Sequence, residues 1–158
     1  MDGCLSLKVH TEMTIHIEKK SFQSFISLRE LDNYQVVLVL MLIHHSTSGA
    51  ARYIHMDKLH FLFDLAICNR SYQGLPKFTI PPWKVDNELK RKLIILTKNN
   101  IILQSNKDNK VRFSLSEKGK SNLKNVLEIE NFHNLNNKIA ELCKNISTSN
   151  FEKSRIVF

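Results

Sequence analysis

Four histidines, His44, His45, His55 and His60, stand close enough in the chain to raise the question of a metal centre. Spacing argues against it. Adjacent residues on a helix point apart, and a separation of five does not share a face as three or four does, so no pair here presents two imidazoles to one ion. Asp57 and Asp64 fall on one expected helix, where Asp57 reads as a cap and Asp64 as a solvated position. Cys4, Cys68 and Cys143 form no CxxC pair, and the two internal ones lie in apolar helical contexts that suit core thiols. The four glycines are dispersed, which rules out a Gly-rich phosphate loop. No serine sits in a nucleophile elbow, and no cysteine has a histidine at a spacing that would activate it. The expectation is a chain with no catalytic residue, no cofactor and no metal, and so a binding protein rather than an enzyme.

Positive charge is the one chemical property that is concentrated. Residues 84–124 carry eleven Lys/Arg against four Asp/Glu, so this stretch holds seven of the chain's eight net positive charges. Lysines and arginines gathered along one helix and a hairpin are the footprint of contact with phosphates, which reward positive charge by counterion release. The candidate nucleic-acid contacts are Lys90, Arg91, Lys92 and Lys98 on the helix, Lys107, Lys110 and Arg112 in the hairpin, and Lys118, Lys120 and Lys124 beyond it. Base readout is weakly supplied, since Asn87 is the main side chain placed to address base edges. The contact expected is therefore with double-stranded DNA backbone. A coding bias toward Lys, Asn and Ile offers a second source for the same lysines.

The elements that must position these residues follow from apolar spacing. Val85, Leu89, Leu93 and Leu96 recur at helical intervals between Lys84 and Asn99, with Lys90, Arg91 and Lys92 turned to another face. The helix ends at Asn99-Asn100, and Ile101-Ile102-Leu103 reads as a strand. Ser105 to Lys110 is a cluster of turn formers, after which Val111, Phe113 and Leu115 alternate with polar residues as a half-buried strand requires. Ser116 is placed to cap a following helix, with Glu117 in its first turn and Leu123, Val126 and Leu127 as its apolar stripe. Upstream, the nearly unbroken apolar run from Tyr34 to Ile43 predicts a central helix buried on most sides. At ten residues it is about half of what a bilayer crossing needs. After Ser46-Thr47-Ser48-Gly49, Asp57 is expected to cap a second helix whose Leu59, Leu62, Phe63 and Ala66 share a face. Leu135, Ile139, Leu142, Cys143 and Ile146 fit a C-terminal helix.

These elements predict an α+β, mainly α fold: a winged helix-turn-helix domain over 31–147, with an N-terminal extension over 1–30, additional C-terminal helices and a tail over 148–158. In the extension, Leu5, Leu7 and Val9 alternate, as do Met13, Ile15 and Ile17, and Phe22, Phe25, Ile26 and Arg29 mark a short helix. This arm either completes the sheet or reaches onto a neighbouring subunit. The connection 69–83 is longer than the usual four to six or so residues. Its Pro76, Phe78, Pro81, Pro82 and Trp83, with Ile156 and Phe158 of the tail, are the candidate partner contacts. The chain is 158 residues long and 42% apolar, enough for one good core. Met1 to Lys20 lacks a signal-peptide apolar run, so a cytoplasmic location is expected, and the sequons at Asn69 and Asn145 read as chance.

Three phrases carry a resemblance: Leu59-His60-Phe61-Leu62-Phe63-Asp64-Leu65-Ala66; Glu88-Leu89-Lys90-Arg91-Lys92-Leu93-Ile94-Ile95-Leu96 running into Asn100-Ile101-Ile102; and Phe113-Ser114-Leu115-Ser116-Glu117-Lys118-Gly119. Over roughly Leu31 to Ile146 the chain resembles the middle component of bacterial three-component ABC-type ATPase systems, such as the Lamassu antiphage and antiplasmid group. The last phrase is shared with many winged-helix regulators, and the N-terminal extension and long basic run depart from the family pattern. The resemblance implies a non-catalytic adaptor subunit in a hetero-oligomer, docked on an SMC/Rad50-like ATPase and holding a nuclease or other effector. The runner-up expectation is a stand-alone DNA-binding regulator, dimeric through its C-terminal helix, and a third is an antitoxin or other enzyme inhibitor.

Overall fold

The computed structural model describes residues 32–68 and 86–154. It is mainly helical with a small antiparallel sheet, an α+β arrangement. Helix α1 spans Asp32–Thr47, and its residues Leu38 to Ile43 are all buried. A helix apolar on every side must be surrounded. This one touches α2 (Met56–Ile67), α4 (Glu117–Leu127), α5 (His133–Asn145) and strands β1 (Ile54–His55) and β3 (Lys110–Leu115). Burying one Leu or Ile side chain stabilises a fold by about 1.5–3 kcal/mol, so the six buried residues of α1 are a large apolar contribution. Among the described residues, no helix is long and apolar enough to cross a membrane.

Helix α3 (Asn87–Lys98) starts at Asp86, whose side chain accepts the Glu88 amide at 2.9 Å. It ends in a Schellman motif. The Ile101 amide bonds the Leu96 carbonyl at 2.9 Å and the Asn100 amide bonds Thr97 at 3.0 Å, with Asn100 in the left-handed region at φ 55°. Strand β2 (Ile102–Lys107) then pairs with β3 around Asp108-Asn109, both at positive φ, as a two-residue type I′ turn demands. The sheet order is β1-β3-β2. Its inward face holds Ile54, Ile102, Phe113 and Leu115.

The expected succession of helix, hairpin and helix from Asn87 onward is present, and Ser116 caps α4 by accepting the Gly119 amide at 2.9 Å. Three local readings are corrected. Asp57 is not the cap of α2: His55 holds that position without a side-chain bond, and Asp57 lies in the first turn, accepting the Lys58 amide at 2.8 Å. Ser105 to Lys107 belong to a strand, because the turn needs only Asp108-Asn109. Within the stretch read as a tail over 148–158, Thr148–Ser154 form helix α6. Phe151 of α6 is buried against Phe61 at 5.5 Å between ring centroids, and the buried Lys58 ammonium donates to Thr148 Oγ1 at 3.1 Å. Burial pushes the Lys58 pKa down, opposed by Cys143 and Glu152. The candidate arm at 1–30, the loop 69–83 and Ile156 and Phe158 lie outside the described residues.

Two predictions follow from these contacts. A Cβ on Gly119 would overlap the Ile101 carbonyl oxygen and crowd the Ile101 carbonyl carbon at 3.1 Å, whereas Gly49 has open space around it. Gly119→Ala should therefore cost about 1–3 kcal/mol in urea unfolding, with Gly49→Ala as the neutral control. His44 titrates below its usual 6.5 because burial, then the charges of His45 and Lys120, disfavour its cation. The unfolded chain thus binds the proton more readily, so stability is lost as pH falls below 6.5. The thermal midpoint should drop on acidification through that range, and His44→Gln should flatten the slope.

Candidate functional site

Two faces of α3 divide the labour. Leu89, Lys92, Leu93 and Leu96 turn inward, while Asn87, Glu88, Lys90, Arg91, Ile94, Ile95 and Lys98 face solvent. Lys90 and Lys98 are exposed with no acidic partner among the described residues, and Arg91 makes a 3.4 Å pair with Glu88. Lys92 departs from the expected basic face. Its ammonium is buried and bonded to Asp32 at 3.1 Å and Glu88 at 3.4 Å, so it ties α3 to the start of α1 instead of meeting a phosphate. Sequence grouped Lys90, Arg91 and Lys92 as neighbours, but a step of about 100° per residue carries the third around to the inner face.

The hairpin cations also separate by environment. Lys107 and Lys110 are paired across the strands on either side of the turn, both exposed, so two like charges stand together at the tip. Arg112 is half-buried. Its guanidinium carbon lies 4.1 Å from the centroid of the Tyr53 ring, and its Nε donates to Ser105 Oγ at 2.7 Å. His55, Arg112 and Ser105 form one row across the three strands, on the outward face. This cation–π contact uses much of what Arg112 could offer a ligand. Lys118 donates to the Asn99 carbonyl at 3.1 Å, near the negative end of the α3 dipole, and Lys120 bonds Glu117 at 2.6 Å. Lys124 is exposed. The least committed cations are therefore Lys90, Lys98, Lys107, Lys110 and Lys124.

Comparison with known proteins places nothing beside this chain. No family model, no curated protein and no solved structure matches it.

The histidines serve separate local roles. His45 Nε2 donates to Asn136 Oδ1 at 2.7 Å, linking α1 to α5, and His44 meets His45 edge-on at 5.0 Å. The buried His60 accepts the Asp86 amide at 3.4 Å, with the Asp64 carboxylate 3.3 Å from the same nitrogen. Burial raises the Asp64 pKa; His60 opposes this and Asp86 adds to it. Burial likewise raises the Cys143 thiol, against the Ser46 hydroxyl and the Lys58 charge. Among the described residues, no three His, Cys, Asp or Glu gather as a metal would need.

The residues missed at the sequence level are Ile94 and Ile95, 53% and 54% exposed in the middle of the cationic face. A signal was available. Leu93-Ile94-Ile95-Leu96 is four apolar residues on a helix whose inner face already uses Leu89, Leu93 and Leu96, so the intervening pair must point to water. The Lys92 assignment is testable by urea unfolding. Lys92→Ala should cost about 1–2 kcal/mol through lost packing of its stem and lost ion pairs, whereas Lys90→Ala should stay within about 0.5 kcal/mol.

Proposed function

We propose that this chain is a winged-helix adaptor subunit, non-catalytic itself, that links an SMC/Rad50-like ATPase to a nuclease-type effector in a bacterial antiphage or antiplasmid defence complex. In this reading α3 is the recognition helix, β2 and β3 are the wing, and the protein works in the cytoplasm. The adaptor restrains the effector until the ATPase engages foreign DNA, then releases it. Hydrolysis and DNA cleavage belong to the partners. The resemblance of residues 59–66, 88–102 and 113–119 to the middle component of three-component ATPase systems supports the assignment to that class.

One observation carries the preference for protein docking over sequence reading. On the helix that would lie in the major groove of a DNA complex, the centre of the exposed face is Ile94 and Ile95, with Asn87 the only exposed amide before the helix's last turn. Base edges are read by Arg, Lys, Asn and Gln in hydrogen-bonding geometry, which aliphatic side chains do not supply. The lysines at the hairpin tip, Lys107 and Lys110, suit contact with DNA backbone that another subunit grips. Those same lysines favour the second reading, a stand-alone DNA-binding regulator.

The two are separated by selection from random duplexes and by co-expression with the neighbouring genes. An adaptor should co-purify with a large ATPase encoded beside it and enrich no duplex sequence. Enrichment of one operator with symmetric half-sites, and no complex with the ATPase, would reverse the assignment.

A further inference from the structure

The exposed face of α3 is ordered along the helix as well as around it. Lys90, Ile94 and Lys98 follow one another at four-residue intervals, and Arg91 and Ile95 form a second file beside them. Residues four apart on a helix are stacked neighbours. Two aliphatic side chains, each about half exposed, are therefore flanked by cations one turn before and one turn after. Of the two anions at the start of that face, Asp86 caps the helix and Glu88 is paired with Arg91 and Lys92, and Lys90 and Lys98 have no ion-pair partner among the described residues.

An apolar centre inside a charged rim is the anatomy of a protein-binding hot spot. A phosphate backbone matches it poorly. Phosphates close enough to pair with Lys90 and Lys98 would hold hydrated oxygens over Ile94 and Ile95 and leave their exposed halves unburied. A partner helix has no such conflict, because it can set aliphatic residues against the pair and carboxylates against the rim.

We propose that the solvent face of α3 is the docking site for an acidic amphipathic helix of a protein partner. This rests on the adaptor reading and adds to it the chemistry of the partner surface. Lys90 and Lys98 are eight residues apart, about 12 Å along the helix axis. A partner helix lying along α3 therefore needs Asp or Glu eight residues apart, with Leu, Ile or Phe midway between them. The cations steer the encounter and fix the register, and the isoleucines hold the complex once formed. The hairpin tip, with Lys107 and Lys110, remains outside this contact.

The test uses the full chain as bait for a displayed library of helix-forming peptides, with the Ile94→Asp, Ile95→Asp variant as counter-selection. Both substitutions are at exposed positions, so the variant should keep the wild-type thermal midpoint, checked alongside. The expected result is a set of peptides enriched on wild type alone, with acidic residues eight apart around an aliphatic centre. Their affinity should fall roughly ten-fold or more for the aspartate variant, the size of effect a buried anchor carries. Peptides with Lys in place of the acids should recover binding to a Lys90→Glu, Lys98→Glu variant. Failure to enrich any peptide that distinguishes wild type from variant would overturn the proposal, as would enrichment of basic peptides. Duplex DNA of random sequence that displaces the selected peptide, and loses affinity with the glutamate variant, would assign the face to nucleic acid instead. An ATPase complex that survives both variants would sink this surface and leave the adaptor reading standing.

Discussion

The Ile101 carbonyl is the point on which the second half of the chain turns. It accepts the Ser116 amide at 3.1 Å and the Ser116 hydroxyl at 3.0 Å, and the backbone of Gly119 closes on it without room for a side chain. That same Ser116 oxygen caps α4 and reaches the Asn100 carbonyl at 2.7 Å. One cluster of backbone groups thus fixes the end of α3, the root of the hairpin and the start of α4 relative to one another. A helix start and a helix end each leave orphan polar groups, and here each satisfies some of the other's. The orientation of the hairpin against α3 follows from this junction as much as from the apolar core.

Around that junction the molecule separates structural from available charge. Arg112 is held over Tyr53, Lys118 lies on the α3 carbonyl end, Lys120 is paired with Glu117, and Lys92 is buried between two carboxylates. The net positive charge of 84–124 survives, but fewer cations are free than composition suggests. Those that remain lie at the two ends of the Ile94 and Ile95 pair, at the hairpin tip and on α4. What is left uncommitted is therefore a set of separate cations, some of them bordering an aliphatic centre.

The sequence made the elements legible wherever one period dominated. Leu89, Leu93 and Leu96 marked α3, and Val111, Phe113 and Leu115 marked β3 with the correct inward face. The Ser116 cap was readable because serine followed by glutamate after a strand has few other uses. The cap of α2 was misread because Asp57 is a good capping type two positions too late, and nothing local distinguishes a cap from a first-turn acid. Strand β1 is two residues long and exists only by pairing Ile54 with Phe113 and His55 with Arg112, contacts far apart in sequence. Helix α6 was hidden for the same reason: Phe151 is ordered by Phe61, far away in sequence. The division between Lys90 and Lys92 needed the helix phase, which spacing supplied but charge counting ignored.

The sheet order β1-β3-β2 leaves β2 bonded on one side only among the described residues, with all of its positions after Ile102 exposed. Six residues of open strand edge form a template on which another extended chain could grow, the usual route to fibrous self-association. Here the edge is short, tightly twisted by a type I′ turn, and ends where Lys107 faces Lys110. A second copy pairing parallel and in register would bring four lysines into one place. The charge that looks like a ligand site at the hairpin tip therefore also works against pairing of this edge with a second copy of the chain.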